Sequence, residues 1–379
     1  MTYESVDKLQ NALGNHVFHY AKDKKKAAGR ALGTIVEIIN YYLLKDWGFN
    51  HSTSIERGLE EYGNDGIKHN VEYSLHPIRK EYKVQLPNDG KSITATQILK
   101  QLQNSGVSIN EFAKKNHNLL DTHNVLRNAC TIGESKDSFL LTSFDSSNLR
   151  YHNLHVYEQL QKPYAIFECK RVGVEEGTKK GPQTIEKAKQ GAYVARTTSS
   201  LQKIRNDKGE KYGIIYRSNN KSYIKPYIEL MEEIIYSNDS NLLKKFILTV
   251  GVVSNHGNWF TAENYNKELK VLAESYDWLI FLSDRGLSQF ITDLILDPNS
   301  EYIKVQQAFK ESYTPDKKRN VFTKVRMDIE ADVALLKYFS NKSTEIQNWF
   351  NVITPKNKTI LDLKAEIIEL RSKQWSNIL

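Results

Sequence analysis

From Ala31 to Leu44 the chain is apolar nearly all round, and only Thr34, Glu37 and Asn40 interrupt it. Spaced by three, those side chains fall in one narrow stripe of a helix, so the rest of the rod has to be buried. Gly48 follows its end, as a helix stop should. A helix of that kind needs a large core around it. The 379 residues are enough for two domains or one elaborated domain. Hydrophobic content of 40% with charged content of 26% is that of a globular chain rather than a disordered one.

Elsewhere the patterns alternate. VEYSL (71–75) and YKVQL (82–86) read as strands, with helices expected over 95–103 and 108–115. DSFLLTSF (137–144) reads as a strand with NLRYHNLHVY (148–157) as its partner. YAIFECKRV (164–172) is the clearest strand, and PQTIEKAKQGAYVARTTSSL (182–201) has helical character with Pro at its start. KYGIIY (211–216) and KFILTVGVVS (245–254) are further strands. WLIFLSD (278–284) and LSQFITDLIL (287–296) form a strand and a helix, or one helix, and the tail 361–379 is an amphipathic helix. Strands interleaved with helices give an α/β (α+β) class with a mixed central sheet flanked by helices. The expected segments are a mostly helical region over 1–130 containing the core helix 29–45, a central region 131–260, and a C-terminal region 261–379.

The net charge of +8, from 53 Lys and Arg against 45 acids, leans towards a polyanionic partner. Two distant cysteines, Cys130 and Cys169, exclude a disulfide framework and fit a reducing cytoplasm. MTYESVDKLQ carries no apolar signal segment, and no apolar run is long enough to span a bilayer, so no membrane association is expected. GxxxxGK[ST] and GxSxG are absent, which argues against a P-loop NTPase and an α/β-hydrolase. His16-x-x-His19 and His152-x-x-His155 lack the further ligands of a zinc site.

Glu-x-Lys occurs at Glu81, Glu134, Glu168 and Glu268, and only the copy at Glu168 follows an unbroken apolar strand. Residues two apart in a strand share a face, so Glu168 and Lys170 point one way while Phe167 and Cys169 point the other. This is either a surface ion pair or half of a metal site acting on phosphodiesters. Mg2+ takes oxygen ligands, and an adjacent lysine can position water or stabilise charge on phosphate. A second acid is then required. Asp145, at the end of a strand upstream, is the leading candidate, and Asp137 at the other end of that strand is its rival. Glu37, the lone carboxylate of the apolar helix, is either a third acid or part of a wet edge.

These residues together resemble the PD-(D/E)xK nuclease superfamily. With the Glu168-Cys169-Lys170-Arg171 form, they look most like a type II restriction endonuclease. The resemblance covers residues 145–200 and the helix at 29–48, and Phe144 stands where the superfamily's proline would be. It implies Mg2+-dependent hydrolysis of double-stranded DNA by a homodimer, with 131–260 as the catalytic core. It implies Asp145 and Glu168 as metal ligands, Lys170 as the catalytic lysine and Glu37 as an auxiliary acid. Arg171, Lys179 and Lys180 would then lie near phosphates, and Gln183, Lys187 and Gln190 can share a helix face towards DNA, with Tyr193 in the core. Two other readings keep the same residues: a structure-selective repair or recombination nuclease, and a basic DNA-binding module without catalysis.

Overall fold

The computed structural model describes residues 6–20, 22–172, 182–216, 221–255, 267–313 and 319–379. The fold is mixed α/β with several sheets. It divides into two compact units that do not follow consecutive segments. One comprises 1–55, 76–162 and 287–346, and the other 56–75, 163–286 and 347–379.

The first unit contains the apolar helix, α1 (Lys24–Asp46), which begins earlier than its apolar run. Asp23 caps it by accepting from Lys26 N at 2.9 Å. Lys24–Lys26 therefore form its first turn. Ala31, Leu32, Ile35, Ile38 and Ile39 are fully buried, as the pattern requires. The polar stripe is not a wet edge throughout. Asn40 is buried, and Glu37 Oε2 lies 3.4 Å from Lys324 Nζ. Near the end of α1, Tyr42 Oη and Lys45 Nζ both donate to Asp332 Oδ1, at 2.5 and 2.8 Å.

The same unit holds a five-stranded sheet, ordered Ile78–Pro87, Tyr151–Leu160, Ser138–Ser147, Cys130–Glu134, Ala113–Lys114. The expected pairing of 137–144 with 148–157 is present, as the antiparallel strands Ser138–Ser147 and Tyr151–Leu160 with Leu154 opposite Phe144. The helix expected over 108–115 is not formed. Lys115 N bonds the Ile132 carbonyl at 2.9 Å, so those backbone groups are used beside the sheet. The helix Ala95–Asn104 does form, with a full capping box from Thr94 and Gln97.

The second unit is built on a six-stranded sheet whose strands lie side by side in chain order. They are β1 (Thr53–Glu61), β2 (Asn64–Leu75), β3 (Ala165–Val172), β4 (Leu248–Asn255), β5 (Trp278–Leu282) and β6 (Phe350–Thr354). β3, β4 and β5 are parallel, whereas β2 and β6 run antiparallel to their neighbours β3 and β5. Central parallel strands are covered on both faces, which is why Trp278–Leu282 is an unbroken buried run. Parallel neighbours need crossovers. That from β3 to β4 includes α2 (Pro182–Thr197), and that from β4 to β5 includes α3 (Lys267–Ala273). Ala195 of α2 and Leu269 and Leu272 of α3 pack with Val253, Leu279 and Phe281 into one core. Residues 278–296 resolve into β5 and a separate helix, Asp284–Ile291, that continues as a wider turn over Thr292–Leu296. The tail helix ends at Ser372, and a short turn of helix, Trp375–Ile378, follows.

Candidate active site

Glu168 and Lys170 leave β3 on one face, and their ions meet, with Lys170 Nζ 3.2 Å from Glu168 Oε2. Asp145 does not lie on a strand beside β3. Asp145 sits exposed on the strand Ser138–Ser147 of the first unit, where its carboxylate accepts from Ser146 Oγ at 3.1 Å. That strand lies between Tyr151–Leu160 and Cys130–Glu134, while the neighbours of β3 are β2 and β4. Asp137, also exposed, precedes the same strand. The chain between β2 and β3, residues 76–162, belongs to the first unit.

The acid beside Glu168 is Glu72 on β2. The β2–β3 ladder ends at the pair Phe167–Tyr73. Beyond it, each carboxylate takes a main-chain N–H of the opposite strand. Glu72 N donates to Glu168 Oε1 at 2.9 Å, and Cys169 N donates to Glu72 Oε2 at 2.6 Å. Two N–H groups that would otherwise be orphaned are thus satisfied by acids, and both acids are fixed in place. Both are buried, at 8% and 7% exposure. Burial pushes the Glu168 carboxyl above the usual carboxylate range, and the Glu72 carboxylate pushes it the same way. Lys170 and the Glu72 N–H pull against them.

Two glycines make the space. Gly251 of β4 stands in register with Glu168, and a methyl group there would lie 2.8 Å from Tyr276 Cδ2 and Leu279 Cδ1. On Gly191 of α2 it would lie 2.8 Å from Lys170 Cε and 2.9 Å from the Tyr276 hydroxyl. Tyr276, from the segment between α3 and β5, therefore reaches the same place as Lys170. Its hydroxyl is fully buried and has no hydrogen-bond partner among the described residues. Burial, with Glu168, Cys169 and Glu72 nearby, holds its pKa well above the ordinary tyrosine value, so the group is a proton donor. An orphaned buried hydroxyl costs on the order of 1–3 kcal/mol, which an oxygen entering the site would offset.

The donor set suits a hard cation. Among the described residues no three or more His, Cys, Asp or Glu side chains gather into a metal site. Two carboxylates with water and phosphate completing the shell are nonetheless what Mg2+ ordinarily uses. A carboxylate that accepts one N–H also retains acceptor capacity.

The remaining expected residues divide. Glu37 belongs to the first unit and pairs there with Lys324. Gln190 is exposed on α2. Lys179 and Lys180 lie outside the described residues, as do the side chains of Arg171, Gln183 and Lys187. Tyr193 is not core. It is 50% exposed, and its ring meets His69 edge-on at 5.6 Å. Sequence reasoning missed Glu72, Tyr276 and both glycines. Glu72 did carry a signal, because it is the lone acid in the otherwise uncharged strand VEYSL.

No family model, curated protein or solved structure matches the chain.

Alanine in place of a helical glycine ordinarily gains up to about 1 kcal/mol. Gly191→Ala is instead expected to displace Lys170 and reduce any activity of this site at least about tenfold. Parallel measurements of rate and thermal unfolding test this, and an unchanged rate would remove Lys170 from the site.

Proposed function

We propose that the chain is a Mg2+-dependent endonuclease of double-stranded DNA, acting as a homodimeric type II restriction enzyme in the cytoplasm. One observation carries this reading: Glu72 and Glu168 face each other from neighbouring strands, with Lys170 against Glu168. On it Glu72, not Asp145, shares the cation with Glu168. Bound Mg2+ would neutralise phosphate charge and lower the pKa of a coordinated water. Glu168 orients Lys170, whose ammonium faces the charge that builds on the phosphate oxygens or holds the attacking water. Tyr276 offers a hydrogen bond to an oxygen in the same space. Hydrolysis by in-line attack leaves 5′-phosphates. The net charge of +8 favours a polyanionic substrate.

The test is direct. Phage-length DNA incubated with the chain is expected to give discrete bands in Mg2+, none in EDTA, and at least about a hundredfold less product with Lys170→Ala. Absence of cutting on DNA of diverse sequence and methylation would refute the proposal. A smear in place of bands would point to a nuclease that reads structure.

A further inference from the structure

Within the second unit, a cavity of about 790 Å3 lies at the C-terminal end of α2. Its wall includes the last turn of α2, the paired strands Gln202–Arg205 and Lys211–Tyr216, the start of the helix Tyr227–Tyr236, α3, and the end of β6. The lining cations are Arg196, Lys203, Arg205, Lys211, Lys270 and, just past β6, Lys356. Three acids, Glu229, Glu274 and Asp277, face them.

Two of those acids are already spent. Glu274 is bridged by Arg205 at 2.5 Å and Lys211 at 2.9 Å. Asp277 is buried and accepts from Tyr227 Oη, from Thr249 N at 2.7 Å and from Thr249 Oγ1 at 2.9 Å. Arg196 and Lys356 have no carboxylate partner among the described residues. Lys203 Nζ donates to the Tyr276 carbonyl and lies 4.5 Å from the centre of the Tyr227 ring. The cavity thus concentrates more positive charge than its own acids offset. Leu269, Val271, Ile353 and Pro355 give it an apolar wall as well. A single carboxylate would leave most of that charge uncompensated, whereas a phosphate dianion bound by an arginine fork and an ammonium would not. The volume and the mixed wall suit an organic group attached to the phosphate.

We propose that this cavity binds a phosphomonoester of about mononucleotide size. The site is separate from the Glu72–Glu168 pair and does not depend on the nuclease reading. Burial lowers the Lys203 pKa to about 8, with Lys211 and Arg196 lowering it and Asp277 and Glu274 raising it. An anion stabilises the ammonium, so binding takes up protons near pH 8. At pH 6.5, where Lys203 is already charged, it does not.

Calorimetric titration of the full chain with adenosine 5′-monophosphate, inorganic phosphate and adenosine is the test. The nucleotide is expected to saturate a single site, phosphate to bind more weakly, and adenosine not to bind. At pH 8, buffers of different ionisation enthalpy should reveal proton uptake that disappears at pH 6.5. Arg196→Gln and Lys356→Gln should each weaken the nucleotide about tenfold while leaving thermal unfolding of the free chain unchanged. No saturable binding, adenosine binding as tightly as its monophosphate, or affinity unchanged in both variants would overturn the proposal. So would displacement of the nucleotide by unphosphorylated duplex DNA, which would assign the cavity to a phosphodiester backbone.

Discussion

Glu72→Gln is expected to reduce Mg2+-dependent cleavage at least about a hundredfold, while Asp145→Asn leaves it within about twofold of wild type. The amide has the shape of the acid and keeps an oxygen to accept from Cys169 N, so the arrangement of β2 and β3 survives. What disappears is one of the two charges a cation would need. The same change removes a carboxylate that pushes the Glu168 pKa up, so thermal unfolding should occur at the wild-type temperature or higher. Initial rates and melting curves of both variants decide the matter. Loss of cleavage in Asp145→Asn with retention in Glu72→Gln would mean that the sheet neighbour is not the functional one.

The largest loss of stability is expected at Gly286. A methyl group there would lie 2.4 Å from both Cβ and Cγ of Trp349. Neither atom is the end of a flexible chain. Trp349 is buried, and its carbonyl accepts from Ser283 N at 2.8 Å, so the ring and the helix start are held against each other. Overpacking of this kind costs about 1–3 kcal/mol, and Gly286→Ala should reach the upper end. The control is Gly33 in α1, where a methyl group meets nothing within 4 Å. Gly33→Ala should instead gain up to about 1 kcal/mol from helix propensity. Urea denaturation of the two variants measures both, and a gain at Gly286 would mean that Trp349 is free to move.

Much of this was legible locally. The burial of Ala31–Leu44, the strand Ala165–Val172, the pairing of 138–147 with 151–160 and the helix after Pro182 all follow from periodicity and end signals. The helix expected over 108–115 failed because backbone groups there bond beside a sheet, and a short amphipathic pattern cannot show that. Tyr193, expected in the core, meets His69 at the surface of α2 instead.

The chain's own pattern dictates that Glu168 and Lys170 share a face. That follows from the two-residue period of a strand, whatever surrounds it. It also determined that the strand is buried up to the carboxylate, through Ala165, Ile166 and Phe167. Which strand lies beside β3 is settled by packing alone. Glu72 reaches Glu168 across 96 positions of chain, with the sheet of 76–162 in between. Strand pairing is chosen by which faces can be buried together, and local pattern does not encode the partner. The same holds for Gly191, Gly251 and Tyr276. Their importance lies in the space one element leaves for another, and that space exists only once the elements have packed.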